Sequence, residues 1–345
     1  MVQLSKAIFG AAVLLSAVKA HEELTPEQLA KTRDLQEQMY LCTPYIKAQM
    51  EQRKRDVQQV LGQAPTDAAT MFLADAFEQG NDERKLLSCG QAEEEARIRN
   101  NTCVLTPVVT QGPYYHDRGH PIRQNMAENE IGVPFLMDIG IINVKTCQPM
   151  SGVLVDIWHA NATGHYSGHP DPKPELVWEG PAAYGHRKGL LSAFPRTKDH
   201  EMWLRSAWPT NKNGVSQFSS IFPGYYTGRA THVHVKVHTE WTPHANNGTF
   251  TASRMIHVGQ LFVDDEINSV IDRIHPYTEN PIRNKWGRTR NWADSLNIYQ
   301  DSHKGFQATF ETHKLGGVIN QGLIGYMTIG VDPDASYDPS QAWSP

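Results

Sequence analysis

The stretch Thr231–His238, read THVHVKVH, constrains the fold more than any other part of the chain. Val233, Val235 and Val237 alternate with His232, His234, Lys236 and His238, and a period of two gives a β-strand two chemically distinct faces. The valine side calls for a core. The histidine side calls for solvent, or for a job. The same texture recurs in FLMDIGIINV, SGVLVDIWHA, QFSSIF, SRMIHVGQLFV and LIGYMTIGV, all separated by Gly, Pro, Asn and Asp. Such a series predicts a mainly β chain, with an antiparallel β-sandwich over residues 101–332.

The segments flanking that domain differ in composition. MVQLSK, an apolar run and Val18-Lys19-Ala20 predict a signal peptide over residues 1–20, a mature start at His21 and a secreted protein. Residues 21–100 are rich in Glu, Gln, Lys, Arg, Ala and Leu and are expected to be helical, with Thr25-Pro26-Glu27-Gln28 as a helix start and Leu24 and Leu29 stapled across it. We assign this region packing rather than catalysis; it leaves a homodimer open. The interval from Gly168 to Trp203, with five prolines, is expected to form loops over one end of the sandwich. Residues 333–345 are expected to form a C-terminal tail, loose from Ser336 onward.

Composition excludes several classes of function. The chain has 345 residues, 39% of them hydrophobic and 20% charged, which is enough to bury a core and too apolar for a disordered protein. Its 37 acidic and 32 basic residues give a formal charge of −5 with no basic block, so nucleic acid is not an expected partner. Past the leader, no apolar run is long enough for a membrane span. Cys42, Cys89, Cys103 and Cys147 make an even count suited to two disulfides in an oxidising compartment, and no Cys-x-x-Cys spacing suggests zinc. Sequons at Asn100, Asn161 and Asn247 fit a glycoprotein.

Two histidines two apart on a strand point the same way, so His232 and His234 can share a metal ion. Upstream, FPGYYTGRA places a Pro223-Gly224 turn, Tyr225, Tyr226 and Arg229 beside them, while DIWHANATGHYSG offers His159, His165 and Tyr166 at the end of another strand. HExxH is absent and carboxylates are scarce around the pair, which disfavours zincin and two-His-one-carboxylate sites. Tyrosine remains. Phenolate is a hard anionic donor suited to ferric iron, and a His2Tyr2 Fe(III) centre follows.

These motifs, together with TQGPYY, GVPFLMDIGIINVKTCQP, WLR, GQLFVDD and LIGYMTIGVD, resemble the intradiol ring-cleavage dioxygenases, especially the secreted fungal type. The resemblance runs from about Cys103 to Asp332. It implies non-haem Fe(III) held by Tyr166, Tyr226, His232 and His234, with O2 as co-substrate. It also implies cleavage of a catecholic small molecule between its hydroxylated carbons to a cis,cis-muconate-type diacid. Tyr226 would act as ligand and general base in turn, with neighbouring Tyr225 the alternative; Arg229 would stabilise developing negative charge, and Gln260 would hydrogen-bond the substrate.

Other residues carry blander expectations. Trp158, Tyr114 and Tyr115 are core aromatics that could also line a pocket. Lys236 and His238 are expected to meet solvent or loops, because the strand's rise of about 3.3 Å per residue carries them off the metal. His159 and His165 are expected around the centre or at the surface, and Asn161 is expected to stay unmodified beside Tyr166. Two rivals from other classes are a copper histidine-brace polysaccharide monooxygenase starting at His21, and a non-catalytic β-sandwich binding module.

Overall fold

The computed structural model describes residues 26–61, 66–67, 103–104, 109, 111–169, 198, 200–284, 287–294 and 308–337. In chain order its elements are α1 (Pro26–Leu61), β1 (Thr66–Asp67), β2 (Cys103–Val104), β3 (Pro134–Asn143), β4 (Leu154–Trp158), β5 (Arg205–Pro209), β6 (Val215–Ile221), β7 (His232–His244), β8 (Thr249–Phe262), α2 (Asp265–Ile271), β9 (Glu311–Lys314) and β10 (Leu323–Val331). One sheet runs β1-β9-β10-β3-β6, with β2 also pairing with β10. The other runs β5-β4-β7-β8 and is antiparallel throughout.

The expected sandwich is present, and alternation builds its core. Phe135, Met137, Ile139 and Ile141 of β3 and Met327, Ile329 and Val331 of β10 meet Val155 and Ile157 of β4 and the three valines of β7 in one buried cluster. Burial of each such side chain contributes about 1.5–3 kcal/mol. One feature goes beyond a purely antiparallel arrangement: β10 lies parallel to β3 and to β2. A parallel pair needs a long crossover, and here the whole second sheet lies between β3 and β10 in the chain.

Both sheets also have an outer face, and both outer faces are covered. Helix α1 lies across the six-stranded sheet through Met39, Cys42, Ile46, Met50 and Arg53, spaced three or four apart. Met39 and Ile46 meet Ile142, and Met50 meets Ile324 and Tyr326. Arg53 pairs with Asp138 of β3 and donates to the Thr328 hydroxyl at 2.8 Å and the Met327 carbonyl at 3.0 Å. Close approach requires Gly140 opposite, since a Cβ there would lie 2.7 Å from the Arg53 guanidinium. A Cys42–Cys147 disulfide fastens α1 to the turn after β3.

The N-terminal region is therefore helical over Pro26–Leu61, but Thr66–Asp67 add a strand to the edge of the sheet instead of continuing the helix. The proposed cap at Thr25, the staple residue Leu24, the signal segment, Cys89 and most of the Gly168–Trp203 interval lie outside the described residues. No helix among the described residues is long and apolar enough to cross a membrane. At the other end, Ala335 is buried in the main core and Tyr337 bridges Met255, so the chain is still packed just past Ser336, where looseness was expected.

Candidate metal centre

The histidine face of β7 does not meet solvent. It is the outer face of the four-stranded sheet, buried under loops, and one cross-strand row on it reads Arg205, Trp158, His234 and Gln260. Trp158 stacks on the His234 ring at 4.6 Å, with the planes 5° apart. His232 opens β7, and its Nδ1 lies 2.6 Å from the Ala230 carbonyl. A carbonyl only accepts, so Nδ1 carries the proton and Nε2 keeps its lone pair.

Tyr166 arrives on the loop after β4. Asn161 shapes that loop: its side-chain oxygen accepts from Thr163 N at 3.1 Å and His165 N at 3.0 Å, while its amide nitrogen donates to Glu130. At Gly164 (φ +83°) a Cβ would collide with the Tyr225 carbonyl, so glycine lets this loop close on the segment carrying Tyr226. Tyr114 stacks on Tyr166 at 4.3 Å, planes 4° apart, and meets Tyr226 edge-on at 5.7 Å.

These elements bring four donor atoms together. His232 Nε2 lies 3.1 Å from His234 Nε2, His234 Nε2 lies 3.1 Å from the Tyr166 hydroxyl, and His232 Nε2 lies 3.5 Å from the Tyr226 hydroxyl. Of the two adjacent tyrosines, it is Tyr226 whose hydroxyl reaches His232; Tyr225 instead packs under the Arg288 guanidinium at 4.3 Å.

Electrostatics suit a cation at this point. Burial, aided by the Arg229 charge, pushes His232 down to about 3, and burial together with His232 holds His234 well below the ordinary histidine value. Both imidazoles are thus neutral donors at neutral pH. Burial and the nearby Tyr226 push the Tyr166 phenol up, so it becomes phenolate only when a cation displaces its proton. Metal–nitrogen and metal–oxygen bonds of about 2.0–2.2 Å separate neighbouring donors by about 2.9–3.5 Å. The donor spacings fit that range. No group of three or more His, Cys, Asp or Glu among the described residues could hold a metal ion, so a cation here depends on the tyrosines.

Arg229 adjoins the four donors. Its Nη1 donates to the Tyr226 hydroxyl at 3.2 Å, its Nη2 to Gln260 Oε1, and its Nε to Asp294. Gln260 is fully buried, and its Nε2 finds no hydrogen-bond partner among the described residues.

The blander expectations fare unevenly. Lys236 and His238 do lie off the centre and meet loops, but they are buried, not solvated: Lys236 Nζ donates to Gln111 at 2.6 Å and sits 3.3 Å over the Tyr115 ring. His159 and His165 are also buried, His159 against Ser220 and His165 against the His169 carbonyl, so neither is at the surface. Trp158 and Tyr114 are at once core aromatics and walls of the centre.

Two carboxylates escaped the sequence reading. Asp156 accepts from Tyr115 at 2.9 Å and pairs with His120 behind Trp158. Alternation could have found it, since in VDIWHA it shares a face with Trp158. Asp294 comes from a distant loop, and no local pattern announces it.

Part of the chain is similar to known proteins. Residues 109–242 match the family model described as Dioxygenase. An intradiol ring-cleavage dioxygenase from Tetranychus urticae is 27% identical over 68% of this chain and 98% of its own, with a TM-score of 0.50. A second solved dioxygenase is 28% identical over 69% of this chain and 98% of its own, with the same TM-score of 0.50. No curated protein matches the chain. Residues 109–242 are thus similar to dioxygenases, and one of the two similar solved structures is an intradiol ring-cleavage dioxygenase. The rival histidine brace rests on His21, which lies outside the described residues.

Proposed function

We propose that the protein is an extracellular Fe(III) dioxygenase that opens catechol-type diols between their hydroxylated carbons, one diol and one O2 giving one cis,cis-muconate-type diacid. The observation carrying this reading is the meeting of two neutral imidazole nitrogens and two phenol oxygens within 3.1–3.5 Å of their neighbours. Tyr166, Tyr226, His232 and His234 would hold the ion. When bound, Fe(III) supplies a Lewis-acidic centre that accepts a catecholate and draws electron density from its ring, opening a ring carbon to O2.

The chain's own groups divide the remaining work. Tyr166 is buried beneath Tyr114 and is the fixed phenol. Tyr226 is only half-buried and accepts the Arg229 hydrogen bond, which suits it to swing aside and take a proton from a substrate hydroxyl at its own phenolic oxygen. Arg229 keeps its charge at any working pH and stabilises negative charge developing on the substrate oxygens. Gln260 offers its uncommitted amide nitrogen as a donor. Trp158 backs the His234 ring and Tyr114 backs the Tyr166 ring, which keeps water from that side of the donors. The leader-like residues 1–20 and the Cys42–Cys147 disulfide support secretion.

Purified protein supplied with Fe(III) and a panel of catechols tests the reading. The expected result is one iron per chain, a red-brown phenolate charge-transfer colour, stoichiometric O2 uptake and a ring-opened diacid, with colour and cleavage both lost in Tyr166→Phe. Retention of both in that variant would overturn the ligand assignment.

A further inference from the structure

Arg229 can serve the reaction only if its fork is held in place. Arg229 is 3% exposed, on a loop three positions before β7, where a long side chain has many rotamers to choose from. Its orientation is set from 65 residues away. Asp294 ends the short 3-10 turn Asn291–Ala293, and its carboxylate accepts from Arg229 Nε at 3.2 and 3.0 Å through its two oxygens. The second oxygen also accepts the Ala230 backbone N–H at 2.8 Å.

That last bond has a consequence at the imidazole. The Ala230 residue whose N–H is held by Asp294 is the one whose carbonyl lies 2.6 Å from His232 Nδ1. One carboxylate therefore fixes two groups: the fork of Arg229, whose Nη1 and Nη2 are left facing Tyr226 and Gln260, and the backbone that sets the tautomer of His232. Asp294 is itself 1% exposed, and the turn that carries it is pinned because Asn291 donates through its side chain to the Val263 carbonyl at 2.8 Å and through its backbone N–H to Asp265 at 3.0 Å. Its negative charge also offsets that of Arg229, so the cation beside the centre is not an uncompensated buried charge.

We propose that Asp294 is a positioning residue for the ring-cleavage reaction, holding Arg229 against Tyr226 and Gln260 and the Ala230 peptide against His232. It touches neither substrate nor metal; it acts through those two groups. The inference rests on the function proposed above and adds a residue to it that no sequence motif indicates.

Asp294→Asn tests it, because asparagine keeps the volume and an oxygen for Ala230 N–H but loses the charge on Arg229. The expected variant binds iron like the wild type and melts within a few degrees of it. Its kcat falls at least about tenfold with a smaller change in KM, and its charge-transfer band shifts because the hydrogen bond to Tyr226 is disturbed. In an Arg229→Met background, the same change should produce no further loss of kcat, since the Arg229 fork is gone and asparagine still offers an oxygen to Ala230 N–H. Asp294→Glu, which keeps the charge but displaces it by one methylene, is expected to lose less than Asp294→Asn and provides the comparison if asparagine impairs folding. An unchanged kcat and band in both variants, or an equal loss with and without Arg229, would overturn the assignment. Wild-type protein that takes iron but shows no charge-transfer band and no catechol cleavage would overturn the underlying function as well, so the two failures read differently.

Discussion

The two outer faces of the sandwich are built from the same alternating pattern and end in opposite chemistry. Beneath α1, the six-stranded sheet buries one charged pair, Arg53–Asp138, and satisfies it: Arg53 also reaches Thr328 and Met327, while Asp138 also accepts from Gln217 at 2.6 Å. The clusters around it are Met, Ile, Leu, Val and Tyr with the Cys42–Cys147 pair. Beneath the loops, the four-stranded sheet buries His232, His234, Lys236 and His238 with Asp156, Arg205 and Gln260, and several of their polar atoms have no partner among the described residues, including His234 Nδ1 and Gln260 Nε2. A buried polar group left unmatched costs about 1–3 kcal/mol. A fold tolerates that where a ligand completes the set, which is why the proposed centre is placed on the loop-covered face, although the Tyr326 hydroxyl beneath α1 also lacks a partner among the described residues.

That contrast can be broken from either side, and the largest effect belongs to the loop-covered face. His234→Ala should abolish iron binding and reduce ring cleavage to background, while the metal-free chain loses less stability than any Arg53 variant; metal analysis and calorimetry read the two quantities. Arg53→Met should do the reverse. It leaves Asp138 buried without its cation, costing about 3–5 kcal/mol in denaturant unfolding, with kcat per folded molecule unchanged.

The covalent tie under α1 gives the next effect. Replacing Cys42 and Cys147 together by Ala removes a link of sequence separation 105, and about 2–5 kcal/mol of stability should go with it, again without change in kcat. A similar loss on treating the wild type with a reductant would show that the bond is formed in the purified protein.

The smallest effect is graded and pH-dependent. Burial pushes His159 and His257 each down to about 4 from an ordinary 6.5. Between those values the unfolded chain holds the protons and the folded chain does not, so stability rises with pH inside this window. Each group should therefore withdraw about 1.4 kcal/mol per pH unit as pH falls from about 6.5 to about 4, and its own share of the decline should end where its folded imidazole also protonates. Denaturant titrations across that range check the slope; a flat profile would mean that these histidines are solvated.

How much of this was legible in the sequence follows from where each partner sits. The sandwich was legible because valine alternation on β7 and the apolar runs of β3, β4 and β10 are local and periodic. Tyr166, Tyr226, His232 and His234 were legible because each lies in a short motif dense in chemistry-bearing residues. The depth of their burial was not, since a polar strand face reads the same whether it meets water or loops. Asp294 and the Arg53–Asp138 pair were hidden more deeply. Each depends on residues 65 or 85 positions apart meeting across the fold, and one aspartate among many carries no mark of its future partner.

The most direct test of the central claim is a crystal structure of the iron-loaded protein with anomalous data at the iron edge. A single strong peak is expected about 2.0–2.2 Å from His232 Nε2, His234 Nε2 and the phenol oxygens of Tyr166 and Tyr226. A peak bound elsewhere, or one lacking both phenol oxygens, would contradict it.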